Sequence, residues 1–226
     1  MDQWLDYDLS DFLLFSPQVY WRLFALENAA LWPLPTLTSL LAFGALYAAT
    51  RLPAAGGRAL AVLLAIAWIW VGYSFLWQRY APINWTVGYA APVFLLQGLG
   101  WATVAGWRGR GPCLQVGTIG FLGLALCAIA VVGYPLAGVL SGRTFWEAEF
   151  VGIAPDPTVA FAVGAALVIL PRWAALLLLP VPLLWLALST LTLIALDSSQ
   201  AWFTGAIAIC AGIGLIWRLI PRHSTS

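Results

Sequence analysis

Seven apolar stretches separated by short polar connections run along the chain. Most approach the roughly 20 residues that an α-helix needs to cross the hydrocarbon core of a bilayer. The pattern therefore predicts an all-α fold, a polytopic bundle of seven transmembrane helices. The predicted spans are 31–49, 59–77, 86–107, 114–140, 158–170, 173–196 and 201–220.

The segment before the first span has a different character. Ser16 and Pro17 are typical of a helix N-cap and first helical position, and the run 18–31 contains Arg22 and Glu27, which make it too polar to span. We predict a short interfacial helix on the outer membrane surface. The chain then divides into an extracytoplasmic segment, residues 1–30, and a seven-helix transmembrane domain, residues 31–226.

Composition and charge agree with a membrane location. Hydrophobic residues make up 62% of the chain and charged residues only 8%, whereas soluble domains are about half apolar and about a quarter charged. The connections after the odd-numbered spans contain arginines and no acid. By the positive-inside rule these connections are cytoplasmic, which places the N-terminus outside and the C-terminus in the cytoplasm. Their arginines are Arg51, Arg58, Arg108, Arg110, Arg172, Arg218 and Arg222.

Several chemistries are disfavoured by what the sequence lacks. Without a lysine there is no amine for a retinal Schiff base, and the chain has a single histidine, His223. Cys113, Cys127 and Cys210 show no metal-site spacing, and no catalytic motif is present. We therefore predict a protein that is not an enzyme and has no cofactor or metal. The arginines form no basic patch, so nucleic acid is not an expected partner.

The connection before the fifth span is the most unusual segment. The span has 13 residues, or about 20 Å of helix against a core of about 30 Å. One interpretation is a rigid outer loop with Asp156 as the N-cap of the helix. The other is that the proline-rich segment enters the bundle and the helix, capped by Asp156 or Thr158, begins below the surface, as in many transporters. Pro180 and Pro182 also predict a kink in the sixth span.

The outer connections supply the candidate binding residues. Arg79 has no acid in its own loop, so we predict an ion pair with Glu147, Glu149 or Asp156. Gln97 lies within the third span, where it forms either an interhelical hydrogen bond or a solute contact. On these span boundaries no charged residue lies in the middle of the membrane. The predicted outer vestibule contains Arg79, Asn84, Gln97, Glu147, Glu149, Asp156 and Thr158.

Small residues recur in the fourth and fifth spans. They include Gly117, Gly120 and Gly123 in the fourth and Ala160 and Gly164 in the fifth. Small side chains let helices approach closely. They predict either close packing within the bundle or a dimer face.

Four segments resemble a known family. They are the opening stretch 11–33, the connection 77–84, Gly133-Tyr134-Pro135 and the stretch 152–158. Together they resemble the bacterial membrane family called domain of unknown function 6064, whose members are often named permeases. Members often have a cysteine at the position of Asp156 and a tyrosine at that of Glu27. The resemblance implies a multi-pass protein of the bacterial inner membrane but supplies no mechanism.

Three functions are compatible with these features. The first is a small permease or channel for a neutral or weakly charged solute, as a homo-oligomer. The second is a non-catalytic accessory subunit of a larger membrane complex, and the third is an intramembrane enzyme, for which no acid–base constellation is evident. A permease predicts a polar cavity running from Asp156 toward Gln97. An accessory subunit predicts a dry bundle with a flat apolar flank.

Overall fold

The computed structural model describes residues 15–107 and 117–219, and all regular structure in these ranges is helical. The α-helices are α1 Pro17–Leu31, α2 Leu34–Arg51, α3 Pro53–Val71, α4 Ala90–Gly106, α5 Thr118–Ala128, α6 Tyr134–Leu140, α7 Pro155–Ile169, α8 Arg172–Leu178, α9 Pro180–Ala195 and α10 Gln200–Leu219. Two π-helical segments, Gly72–Tyr80 and Ile129–Gly133, extend α3 and join α5 to α6. Two short 3₁₀ turns, Trp85–Tyr89 and Phe145–Glu147, precede α4 and α7.

Each predicted span contains a helix, but the helices differ in length. In the described residues five continuous or gently bent helices are long and apolar enough to cross a membrane, and α1 and α2, which meet at 87°, form a sixth if they count as one span. α7 has 15 residues, about 22 Å. The all-α prediction is confirmed, whereas seven full spans are not. The five are Ala54–Tyr80, Trp85–Gly106, Thr118–Leu140, Arg172–Ala195 and Gln200–Arg218.

α1 begins where the sequence predicts. The backbone N–H of Val19 donates to the Ser16 hydroxyl at 3.4 Å, and Pro17 occupies the first turn. The helix does not present only apolar side chains to the bundle, because Glu27 and Asn28 are buried on the same face as Phe24. α1 therefore docks polar groups into the end of the bundle. Residues 1–14 of the predicted N-terminal segment lie outside the described ranges.

α7 lies at the centre of the bundle, and all of its residues are buried. It packs against α3, α5, α9 and α10. Its closest approach is to α5, where a Cβ atom placed on Gly164 would lie 2.5 Å from the carbonyl oxygen of Gly123. The small residues of these two helices therefore serve close packing within the bundle, which is one of the two roles predicted for them.

The two ends of α7 are marked by opposite charges. Asp156 lies in its first turn, and the Arg218 guanidinium donates to the carbonyl oxygen of Leu170 at 2.8 Å just after its last turn. Both placements are favourable for the helix dipole. α8 ends and α9 begins next to Pro180, which cannot donate a backbone hydrogen bond, so the helix is interrupted at one of the two prolines predicted to kink it.

Candidate functional site

The segment leading into α7 is buried although it is not helical. The hydroxyl of Thr158 accepts a hydrogen bond from the backbone N–H of Gly152 at 2.7 Å and donates to the carbonyl of Ala154 at 2.6 Å. Gly152 has φ of +81°, a conformation that favours glycine. α7 thus begins inside the protein. The N-cap is Ala154, with no side-chain hydrogen bond, so the predicted capping role of Asp156 or Thr158 is wrong.

Asp156 ties the start of α7 to α9. Its side chain is 1% exposed. One carboxylate oxygen accepts from the indole Nε1 of Trp185 at 2.8 Å, and the other accepts from the hydroxyl of Ser189. Trp185 and Ser189 are four residues apart and so share one face of α9. A buried carboxylate is tolerable only with such partners.

Glu149 lies beside a second set of partners. It is also 1% exposed. One of its carboxylate oxygens accepts from the Gln200 amide and lies 3.6 Å from a terminal nitrogen of Arg143. The Arg143 guanidinium donates to the Gln200 side-chain oxygen and lies 3.6 Å from the ring centroid of Trp21. The loop before α7 is thereby joined to α10 and α1.

Electrostatics make Glu149 a weaker acid than usual. Burial raises the pKa of Glu149 from 4.5 to about 7, because desolvation disfavours the charged form. The negative charge of Asp156 also raises this pKa, while Arg143 and the Gln200 hydrogen bond lower it. A carboxyl group with a pKa near 7 exchanges protons under physiological conditions.

A separate ion pair joins α1 to the end of α3. A carboxylate oxygen of Glu27 accepts from Nε of Arg79 at 2.7 Å, and its other oxygen accepts from the Ser74 hydroxyl. Arg79 and Ser74 lie on the π-helical segment, a geometry often found at functional sites. The predicted pairing of Arg79 with Glu147, Glu149 or Asp156 is wrong. The packing of α1 against the end of α3 instead places Glu27 beside Arg79.

Beside Asp156 lies a cavity of about 450 Å³. Trp185 and Ser189, which hold the Asp156 carboxylate, also face this cavity. Val87, Ala90, Leu188, Leu191 and Ala195 form apolar parts of the wall. The remaining lining residues, which carry hydroxyl or amide groups, are Tyr20, Tyr80, Asn84, Thr86 and Thr192.

The predicted vestibule residues are only partly brought together. Asn84 lines the cavity. Gln97 does not: its amide donates to the carbonyl of Leu178 at 2.6 Å, the interhelical bond that was one of its two predicted roles. Glu147 accepts from the backbone N–H of Thr144 at 2.9 Å and so stabilises its own loop. The predicted cavity from Asp156 to Gln97 therefore stops at α9 and the start of α4.

Sequence reasoning missed several groups at this end of the bundle. The interval from Tyr20 to Phe24 and then to Glu27 and Asn28 follows helical periodicity, and this spacing could have shown that Glu27 and Asn28 lie on the buried face. The Asn28 amide donates to the carbonyls of Trp146 and Ala148, each at 2.8 Å. No comparable signal marks the others, whose roles depend on tertiary packing. They are Ser74, Arg143, Trp185, Ser189 and Gln200.

The fold is a bundle of helices, several of which are long and apolar enough to span a membrane, with buried carboxylates at one end. The chain belongs to the family of unknown function DUF6064, whose model matches residues 17–223, as the sequence resemblance implied. No curated protein and no solved structure matches the chain.

Proposed function

We propose that the protein is a small multi-pass permease or channel of the bacterial inner membrane that admits a neutral or weakly charged solute. The observation that carries the proposal is the cavity of about 450 Å³ beside Asp156. Its volume lies within the roughly 300–1,000 Å³ of typical small-molecule sites. Its walls combine apolar side chains with a few hydroxyl and amide groups, which is also typical of such sites.

The chemistry of the cavity favours a solute with hydroxyl or amide groups. Tyr80, Asn84 and Thr192 offer donors and acceptors without a formal charge. The Asp156 carboxylate behind them is already engaged by Trp185 and Ser189. A solute in the cavity would meet these dipoles rather than an unpaired carboxylate, and this selects against strongly charged molecules.

The proposed threading keeps seven passages through the membrane. In this threading α1 is the helix on the outer surface, α2 is the first span, and α7 is a half-helix whose start lies within the protein. Buried, non-helical backbone before a half-helix is a recurrent way to build a solute site at depth. The arginine-only connections face the cytoplasm. Reporter tags on the two termini test this threading, and tags found on the same side would contradict it.

Solute flux tests the function itself. Purified protein is reconstituted in liposomes, and light scattering follows vesicle swelling in glycerol and in urea. We expect faster swelling than in empty liposomes for at least one of the two solutes. Ala195→Phe fills the cavity and should slow this swelling, whereas Ala102→Phe adds the same ring on an exposed face of α4 and should not. Equal swelling for wild type and Ala195→Phe would contradict transport through the cavity.

The alternative is an accessory subunit of a larger membrane complex. A groove of about 600 Å³ between α2 and α3 favours this alternative, because it is lined by exposed leucines and small residues, among them Gly44 and Ala48. Small residues on an open helix face permit close helix contact. Purification in mild detergent followed by identification of the co-purifying proteins tests this alternative. A stoichiometric partner of different sequence would support it, and a homo-oligomer or a monomer would favour the permease.

A further inference from the structure

Glu149 and Asp156 place two carboxyl groups in the protein interior with little compensating positive charge. Among the described residues, Arg143 is the cation that contacts this pair. Arg79 is engaged by Glu27. If both carboxyl groups were ionised, one negative charge would remain without a counter-charge in a dry environment. Such a charge is costly, and a buried acid commonly avoids the cost by binding a proton.

Unpartnered oxygen atoms indicate where this proton is held. One oxygen of Glu149 is buried and has no hydrogen-bond partner among the described residues, and the buried hydroxyls of Tyr134 and Thr204 have no partner there other than each other. A carboxylate oxygen only accepts, while a hydroxyl both donates and accepts. The two hydroxyls can therefore serve Glu149 in either state, donating to the carboxylate or accepting from the protonated acid.

Helix geometry places both residues one turn from positions that contact Glu149 or its neighbour Arg143. Thr204 lies one turn after Gln200 on α10, on the same face, and Gln200 contacts Glu149. Tyr134 lies one turn before Gly138 on α6, and a Cβ on Gly138 would be 3.1 Å from the Arg143 guanidinium. Tyr134 and Thr204 thus lie one turn along their helices from the positions that contact Arg143 and Glu149.

We propose that Glu149 and Asp156 form a proton-binding site that takes up one proton at the unpartnered oxygen of Glu149, with the hydroxyl-bearing residues Tyr134 and Thr204 one helical turn from the contacts of Glu149 and Arg143. The proton comes from bulk water and forms an O–H bond at the free oxygen of Glu149. It returns to water when that bond breaks, and no electron transfer is involved. Nothing in the proposed function assigns such a site.

The groups that face Glu149 come from every element around it. Arg143 lies in its own loop, Tyr20 on α1, Tyr134 on α6 and Asp156 on α7. Arg143 favours the ionised form of Glu149, and Asp156 favours the protonated form. The balance between these two neighbours sets the midpoint of proton release.

The pair also adjoins the cavity. The partners of Asp156, Trp185 and Ser189, line the cavity wall, so a change of charge at the pair alters the hydrogen bonding that the wall offers to a solute. This coupling of proton and solute rests on the proposed function, whereas the proton site itself does not.

Infrared difference spectroscopy tests the site without any solute. The purified protein is titrated between about pH 5 and about pH 9, and the carbonyl stretch of a protonated carboxylic acid is followed. We expect a band that disappears with a midpoint near 7. Glu149→Gln should abolish it, and Glu147→Gln, in the same loop, should leave it unchanged. A titration without such a band, or a band that persists in Glu149→Gln, would overturn the proposal.

Asp156→Asn supplies a second test that does not require loss of Glu149. Removing the neighbouring negative charge should move the midpoint to lower pH, since ionised Glu149 is then less repelled. An unchanged midpoint would overturn the pairing of the two acids. A protein that shows the band but carries no glycerol or urea would contradict the proposed function alone.

Discussion

The close contact between α5 and α7 makes Gly164 a position at which even one added methyl group should destabilise the bundle. In Gly164→Ala the new methyl carbon would lie 2.5 Å from the carbonyl oxygen of Gly123, 2.6 Å from the sulfur of Cys127 and 2.8 Å from its backbone nitrogen. Two of these three atoms belong to the backbone of α5. The clash therefore cannot be relieved by rotating a side chain, and the helices must separate.

The size of the effect follows from that geometry. An ordinary contact begins near 3.4 Å, so the helices must move apart by about 0.9 Å, enough to forfeit a quarter to a half of the dispersion attraction across the gap. Because all of α7 is buried, the shift is passed to the helices on its other sides. Overpacking of this kind costs about 1–3 kcal/mol, and we expect Gly164→Ala near the upper end.

Two measurements check this expectation. Reversible unfolding in mixed micelles gives the loss of free energy of unfolding, and maleimide labelling gives the accessibility of Cys127, which is fully buried in the wild type. Gly164→Ala should lose about 3 kcal/mol and label faster. Gly44→Ala is the matched control, because a Cβ at Gly44 meets no atom within 4 Å. If both variants are equally stable and Cys127 labels at the wild-type rate, the close packing of α5 and α7 is wrong.

Three further predictions concern charged groups. The free energy of unfolding should fall as pH rises from 4.5 to about 7, because folded Glu149 retains a proton that the unfolded chain has lost. Unfolding measured at several pH values should show a fall of up to about 3 kcal/mol. Glu149→Gln should remove this pH-dependent contribution. Glu27→Gln and Arg79→Gln should show a coupling of about 1–2 kcal/mol in a double-mutant cycle, and additive losses would contradict the ion pair. Arg218→Gln should lower the free energy of unfolding by about 1–2 kcal/mol by uncapping α7, with Arg218→Lys intermediate; equal stability of the three proteins would exclude the cap.

Much of the fold could be predicted from the sequence because helices that can span a membrane are recognisable by their length and apolar composition. The break at Pro180 and the role of Gly123 and Gly164 followed from local chemistry, namely a missing backbone donor and missing side chains. The short length of α7 also indicated an unusual helix. What length alone could not decide was whether the connection before it lies outside the bundle or within it.

The candidate site was harder to predict because its contacts join residues far apart in the chain. Glu149 is held by Gln200, and Asp156 by Trp185 and Ser189, and no local pattern encodes these distances. The prediction for Arg79 failed for the same reason, since the docking of α1 selects its partner. Span boundaries drawn from hydropathy placed the acids in outer loops, although the bundle buries them.

The enclosure of α7 has a consequence for how the protein is made. Its neighbours α3 and α5 leave the ribosome before it, but α9 and α10 follow it. During synthesis α7 therefore lacks two of its neighbours until α9 and α10 have been made, and Asp156 lacks Trp185 and Ser189 until α9 has been made. A chain that stops before α10 would leave the side of α7 that packs against α10 uncovered, so the burial of the central helix depends on a helix made after it.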